Sequence, residues 1–175
     1  SGDLVFDKLT LPFVGLIDLG WWGYAVTFVW VMGVTNAFNF MDGLNGMAGS
    51  TAAVAALFFA LIAFDQNAVL VFVLSYIVLA AVLGFLPFNF PRAQIFMGDV
   101  GSQFLGFFFA GLAVLAAGSN DVQIPFWVMP LIFFHFIFDA SFTFLRRLCA
   151  GEVVTDAHRS HLYQLVNRMG WPHSK

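Results

Sequence analysis

Charged residues are scarce in this 175-residue chain. Only 10% of its side chains are Asp, Glu, Lys or Arg, whereas a soluble domain carries about 25%. The 7 basic residues are outnumbered by 10 acidic ones, which argues against a nucleic-acid-binding protein. The single cysteine, Cys149, excludes a disulfide within the chain. The opening residues also lack a basic segment followed by an apolar one, the pattern of a secretory signal peptide.

Apolar residues are abundant instead, at 61% of the chain, with 24 Phe. A helix of about 20 mostly apolar residues crosses a bilayer core of about 30 Å. We therefore predict an all-α, polytopic transmembrane helix bundle of about five spans, forming a single membrane domain over residues 1–175. The predicted spans are residues 21–38, 47–64, 68–88, 100–117 and 124–145, with an external or interfacial segment at 1–20 and a cytoplasmic segment at 146–175.

The basic residues predict an orientation, because positively charged loops stay in the cytoplasm. The turns after the second and fourth predicted spans contain acidic residues but no basic ones. We expect an external amino terminus and a cytoplasmic carboxyl terminus, with polar clusters at residues 36–46, 88–102 and 156–164 all on the cytoplasmic face. The basic residues assigned to that side are Arg92, Arg146, Arg147, Arg159, Arg168 and Lys175.

The first cluster places Asn36, Asn39 and Asp42 at every third position. On a continuing helix these side chains would share one face and form a strip of amide and carboxylate oxygens. An Asp at membrane depth is costly and usually functional. Asn and Gly at a helix end are also ordinary capping residues, so the role of Asn36 stays open.

The second cluster ends in Gly98-Asp99-Val100-Gly101-Ser102, just before an apolar span. Glycines beside Asp99 allow a ligand to approach closely, and the helix amino terminus that follows favours an anion. The alternative is that Asp99 or Ser102 only caps the helix.

The third cluster contains His158 and His161, three residues apart, with Arg159 between them. On a helix the two imidazoles could face one phosphate or metal ion, and the Arg guanidinium suits phosphate oxygens. The alternative is a tail that is basic for topology alone.

Oxygen ligands from Asn39, Asp42 and Asp99 suit Mg²⁺, which proteins commonly hold with one or two carboxylates plus substrate phosphates. Such a set of carboxylates, amides, histidines and arginine at a membrane surface predicts phosphoryl-transfer chemistry. These residues alone do not identify the substrate.

Three strings carry a resemblance to a known family: NAFNFMDGLNG (36–46), FNFPRAQIFMGDVGS (88–102) and AHRSHLYQ (157–164). In order and membrane placement they resemble the polyprenyl-phosphate N-acetylhexosamine-1-phosphate transferases of glycosyltransferase family 4, which include MraY and WecA. The third string is nearer to the WecA and O-antigen branch. The resemblance implies an enzyme of the bacterial inner (plasma) membrane, with its active site on the cytoplasmic face.

The implied reaction moves a sugar 1-phosphate from a UDP-N-acetyl sugar to undecaprenyl phosphate and releases UMP. It would initiate a cell-surface polysaccharide such as the O-antigen of lipopolysaccharide. The implied cofactor is Mg²⁺, with Mn²⁺ as the alternative ion, and membrane lipid surrounds the protein.

The resemblance also implies roles for individual residues. Asp99 would be the main Mg²⁺ ligand, with Asn39 assisting, and Asp42 the essential acidic residue near the reacting phosphates. Asn45 and Asn89 would lie near the nucleotide. The residues implied near the diphosphate or sugar are His158, Arg159 and His161, and the implied catalytic set is Asp42, Asp99, His158 and His161.

Two departures from the family pattern bear on activity. Asn45 stands where many members have a second Asp, and no adjacent Asp pair occurs in the chain although members carry one on an early cytoplasmic loop. Five spans are also about half the family's complement. We therefore expect the carboxyl-terminal half of a larger bundle, inactive without the amino-terminal half.

Three further possibilities stay open at this stage. A homodimer is allowed by the resemblance. A non-enzymatic protein, such as half of a transporter, is the alternative from another class, although its polar residues should lie nearer the bilayer midplane. An inactive transferase fragment is the other alternative.

Overall fold

The computed structural model describes residues 4–11, 15–118, 124–151 and Leu162. Within these residues the chain is mostly helical, as predicted for an all-α bundle. A short hairpin precedes the helices. The elements in chain order are β1 Lys8–Leu11, β2 Gly15–Asp18, α1 Trp22–Phe40, α2 Met47–Asp65, α3 Val69–Asn89, α4 Gly98–Gly118, α5 Val128–Ile132 and α6 Phe134–Cys149.

Four of the predicted spans correspond to single helices, α1 to α4, whose ends differ from the prediction by one or two residues. Among the described helices, α2, α3 and α4 are long and apolar enough to cross a membrane. Helix α1 has the same length as α2 but contains Asn36 and Asn39, which lower its hydropathy. The chain is therefore a membrane protein with three such helices in the described residues, where about five were expected.

The predicted fifth span is divided into α5 and α6 at Phe133, whose φ of −93° and ψ of 16° are not helical. The Phe133 N–H still donates to Met129, and the Ile137 N–H donates to Phe133. Helical i to i−4 bonds are therefore present at both of these positions, although α5 and α6 are separate helices. At 16 residues, α6 is about 24 Å long and shorter than a bilayer core. Apolar composition could not reveal this break.

The amino-terminal segment, predicted only as external or interfacial, contains an antiparallel hairpin. Lys8 pairs with Asp18 across β1 and β2, which places opposite charges side by side. Just before the hairpin, the Phe6 ring is almost fully buried and lies 4.9 Å from the ring of Phe126. The Phe6 N–H donates to Thr27 Oγ1 at 3.0 Å. These contacts attach the hairpin to α1 and to the segment before α5.

Two helix pairs form the bundle: α2 packs on α3, and α1 packs on α4. The buried face of α2 is largely alanine, which lets the α3 backbone approach closely. Helices α1 and α4 meet at Gly106, where an added Cβ would lie 2.8 Å from Thr35 Cα. The apolar core between α1, α4 and α6 is aromatic, with neighbouring ring centroids 5.1 to 6.3 Å apart among Phe38, Phe109, Phe133 and Phe136.

Candidate functional site

The loop after α1 (residues 41–46) and the loop after α3 (residues 90–97) meet at one end of the bundle. The Gly46 N–H donates to Asn89 Oδ1 at 2.7 Å, and Asn89 Nδ2 donates to the Ile95 carbonyl at 3.0 Å. Asn45 Nδ2 adds a bond to the Pro91 carbonyl at 3.3 Å. The first two polar clusters of the sequence are therefore brought together.

Glycine is required where the first of these loops enters α2. Gly46 has φ +79°, in the left-handed region that side chains with a Cβ rarely adopt. An added Cβ there would also lie 2.7 Å from Phe90 Cδ2. The backbone can therefore make this turn against the α3 end only with glycine at position 46.

Asn39 connects the last turn of α1 to the first turn of α4. Its Nδ2 donates to Ser102 Oγ at 2.9 Å and to Asp99 Oδ1 at 3.2 Å. Asp99 is exposed, and Ser102 is fully buried beneath it. The contact places an amide beside the carboxylate that was predicted as the metal ligand.

Asp42 lies beside the same helix end and is half-buried. The pKa of Asp42 is raised from 3.8 to about 6, mainly by burial and in smaller part by the negative charge of Asp99. A hydrogen bond from the Gly98 backbone acts in the opposite direction. Because the Gly98 backbone donates to Asp42 and Asp99 is the next residue in the first turn of α4, the two carboxylates form one acidic cluster at the α4 amino terminus.

The donor set of this cluster can be compared with the needs of a metal ion. Among the described residues, no group of three or more His, Cys, Asp or Glu side chains could hold a metal. Two carboxylates, Asp42 and Asp99, with the amide of Asn39 nearby, are a poor zinc set. They fit an ion such as Mg²⁺, which completes its shell with water and substrate phosphates.

Asn36 and Asn89, from the same polar clusters, have mainly backbone contacts. Asn36 is exposed and donates to the Met32 carbonyl of its own helix at 2.8 Å. Asn89 is buried, and both polar atoms of its amide bond to main-chain groups. A nucleotide contact by Asn89 stays a prediction, and in this structure its amide joins two loops.

The third cluster falls outside the residues that the structure describes, so the positions of His158, Arg159 and His161 stay predictions. One hydrogen bond links α6 to that region: the Leu162 N–H donates to Asp139 Oδ1 at 2.8 Å. Thr143 Oγ1 donates to the same oxygen at 3.2 Å. Asp139 is therefore a structural acceptor, which agrees with its buried position four residues before Thr143 in α6.

The sequence predicted Ser102 only as a possible helix cap. It did not predict the bond between Asn89 and Gly46. In the sequence, the one signal for Ser102 is that it is the last residue of the Gly-Asp-x-Gly-Ser motif. Its spacing of three residues places it on the same face of α4 as Asp99, one turn further from the helix end, where it is buried.

The fold and site together define a helical membrane protein with a carboxylate and amide cluster at one end of its bundle. The family model described as glycosyl transferase family 4 matches residues 1–117, which include both described clusters. The chain belongs to this family, and the predicted resemblance is confirmed.

Relatives of two kinds are similar to the chain. A Bacillus subtilis protein named "Probable undecaprenyl-phosphate N-acetylglucosaminyl 1-phosphate transferase" is 35% identical over 175 residues, which cover 99% of this chain and 49% of that protein. A phospho-N-acetylmuramoyl-pentapeptide-transferase of Halalkalibacterium halodurans is 43% identical over 110 residues, covering 62% of this chain and 34% of that protein. The chain thus spans about half the length, or less, of these relatives.

Proposed function

We propose that the chain forms the carboxyl-terminal part of a transferase that moves an N-acetylhexosamine 1-phosphate from a UDP-sugar to undecaprenyl phosphate. The observation that carries this proposal is the acidic cluster at the α4 amino terminus, where Asn39 donates to Asp99 and the Gly98 backbone donates to Asp42. Family membership supplies the class of reaction.

The proposed reaction exchanges one phosphoanhydride bond for another. An oxygen of the lipid phosphate attacks the phosphorus that carries the sugar, and the bond between the two UDP-sugar phosphates breaks. UMP leaves with the bridging oxygen, and the sugar phosphate remains on the lipid as a diphosphate. Negative charge builds up on the phosphate oxygens during this step, so the site must neutralise it.

Asp99 and Asn39 would hold Mg²⁺, which when bound screens charge on the diphosphate. Asp42 is largely an anion at neutral pH, because its pKa is about 6. It could accept a proton from the lipid phosphate, or its carboxylate could attack the phosphorus that carries the sugar and expel UMP, after which the lipid phosphate oxygen would displace the carboxylate. The two routes predict inversion and retention of configuration at phosphorus, which a chiral thiophosphate substrate distinguishes.

The remaining predicted residues would bind the rest of the donor. Asn45 lies in the loop after α1 and Asn89 is the last residue of α3, where their amides or the backbone they hold could contact the nucleotide. We assign His158, Arg159 and His161 to the diphosphate or sugar. The guanidinium of Arg159 and the imidazoles of the two histidines suit phosphate oxygens.

The relatives favour two donors. The Bacillus subtilis match, which extends over 99% of the chain, supports UDP-N-acetylglucosamine as the donor. The shorter matches to phospho-N-acetylmuramoyl-pentapeptide-transferases favour a UDP-N-acetylmuramoyl-pentapeptide as the second candidate. We place the site on the cytoplasmic face of a bacterial inner membrane, where both nucleotide sugars are available, and assign the first activity to the initiation of an O-antigen-like polysaccharide.

A larger bundle would complete this site. The chain has no adjacent Asp pair, and it spans about half the length of the Bacillus subtilis relative. We propose that further sequence supplies acidic residues and helices, with a homodimer as a second assembly to test.

The test measures UMP release in nanodiscs with undecaprenyl phosphate, Mg²⁺ and each of the two donors. It compares the 175-residue chain with the chain joined to the amino-terminal half of the Bacillus subtilis relative. Release only by the joined protein supports both the activity and the need for further sequence. Release by the short chain contradicts that need. If neither protein releases UMP with either donor, the transferase proposal is contradicted and an inactive fragment is favoured.

A further inference from the structure

Ser102 occupies a position from which it can act on the metal site through Asn39 without binding the metal itself. Its side chain is 0% exposed, directly under the first turn of α4. Its hydroxyl lies 2.9 Å from Asn39 Nδ2 and 3.1 Å from the Gly98 carbonyl oxygen, with the Asp99 carbonyl oxygen at 3.4 Å. A serine hydroxyl has one proton to donate and two lone pairs with which to accept.

The two carbonyl oxygens can only accept, so the single Ser102 proton is directed to the backbone of α4. Toward Asn39 the hydroxyl can then only accept a hydrogen bond. The Asn39 amide must therefore present its nitrogen to Ser102, and its oxygen cannot occupy that position. The same nitrogen donates to Asp99 Oδ1 at 3.2 Å, so both acceptors select the same orientation of the amide.

We propose that Ser102 is a positioning residue: by accepting from Asn39 it fixes the amide orientation that holds the Asp99 carboxylate for a divalent cation. This inference rests on the proposed function, because it assumes that Asp99 binds the metal. Residues that orient metal ligands typically change metal affinity by about 10- to 100-fold when they are replaced.

The first test is direct binding of Mn²⁺, measured by electron paramagnetic resonance on the full chain in nanodiscs without substrate. Ser102→Ala removes the acceptor, and we expect Mn²⁺ affinity to fall about 10-fold. Ser102→Thr keeps a hydroxyl and should recover most of the affinity. The matched control is Ser75→Ala, which deletes another fully buried serine hydroxyl, in α3, and should leave binding unchanged.

A double-mutant cycle separates positioning from a general packing effect. If Ser102 acts through Asn39, then Ser102→Ala should have no further effect on Mn²⁺ affinity once Asn39 is alanine. Equal effects in both backgrounds would overturn the inference. So would wild-type affinity in Ser102→Ala. Thermal unfolding of each variant checks that it is folded. If the methyl group of Ser102→Thr does not fit in the buried site, the double-mutant cycle still tests the inference.

Asp99→Asn distinguishes the failure of this inference from the failure of the proposed metal site. Wild-type Mn²⁺ affinity in Asp99→Asn would overturn the metal assignment and the Ser102 inference together. Loss of binding in Asp99→Asn with unchanged binding in Ser102→Ala would overturn only the role of Ser102. In the active protein, Ser102→Ala should raise the Mg²⁺ concentration for half-maximal rate more than it lowers kcat at saturating Mg²⁺.

Discussion

The side-chain oxygen of Asn89 accepts a hydrogen bond from the Gly46 backbone N–H at 2.7 Å, and both residues are buried. This bond joins the last residue of α3 to the residue before α2. Asn89 also bonds to the Ile95 carbonyl, so one amide holds both loops that surround the acidic cluster.

Replacing this amide should destabilise the protein. Asn89→Leu would leave the buried Gly46 N–H without this partner, at a cost of about 1–3 kcal/mol, and would also remove the bond to the Ile95 carbonyl. We expect a lower unfolding temperature in detergent. The matched control is Asn36→Leu, because Asn36 is exposed and its bond among the described residues is to a carbonyl of its own helix. Equal effects of the two substitutions would contradict the role of Asn89 as a link between loops.

Asp99→Asn should abolish metal-dependent transfer in the active protein. The substitution keeps the size of the side chain and removes the charge that would bind Mg²⁺. Loss of several kcal/mol of charge stabilisation corresponds to a fall in kcat of at least about 100-fold. Turnover at saturating Mg²⁺, measured as UMP release, gives the result. Normal activity together with an unchanged Mg²⁺ requirement would contradict the assignment.

Asp42 should make the stability of the metal-free protein depend on pH. Its pKa is 3.8 when unperturbed and about 6 in the folded chain, so between these values the folded state binds more protons than the unfolded state. Stability from this group is therefore greatest at low pH and falls as pH rises through about 6. Unfolding temperatures of wild type and Asp42→Asn, compared from about pH 4 to about pH 7, should show this loss only in wild type.

The charge of Asp99 contributes to the same pKa, so Asp99→Asn should lower the pKa of Asp42 toward its ordinary value. Carboxyl titration by infrared spectroscopy in EDTA measures the shift, with Asp42→Asn identifying the band. An unchanged or higher pKa in Asp99→Asn would mean that the two carboxylates do not interact.

Gly106 should tolerate no side chain at the contact between α1 and α4. An added Cβ would lie 2.8 Å from Thr35 Cα and 2.9 Å from Phe38 Cβ, so Gly106→Ala must separate the helices, at about 1–3 kcal/mol. Gly111→Ala is the control in the same helix, since nothing lies within 4 Å of its added Cβ. The unfolding temperature should fall for Gly106→Ala and not for Gly111→Ala. Similar unfolding temperatures for the two variants would contradict the close contact.

The sequence predicts the parts of this structure that depend on composition and periodicity. The apolar runs located α1 to α4, and the polar breaks after Phe40 and Asn89 located the two loops that meet. The break at Phe133 was missed because apolar residues continue directly through it, from Leu131 and Ile132 to Phe134. The hairpin at Lys8 was missed because its strands are only 4 residues long.

Within the site, residue types were easier to predict than their partners. Asn39 and Asp99 are 60 residues apart, and only the packing of α1 on α4 brings them within hydrogen-bonding distance. Hydrogen-bond direction, such as acceptance by Ser102, depends on which backbone carbonyls lie nearby. The positions of these carbonyls are set when the helix folds, so the sequence alone does not give the direction of the hydrogen bond.

The close crossing at Gly106 also has a mechanical consequence. Gly106 lies seven residues along α4 from Asp99, or about 10 Å. A rotation of α4 about its contact with α1 at Gly106 would therefore displace the acidic cluster. A rotation of about 6° there would move Asp99 by about 1 Å relative to Asn39, and a misplacement of that size can cost about 100-fold in rate. Bilayer thickness or a partner helix that alters the crossing angle would thus tune the site while every residue that faces substrate stays the same.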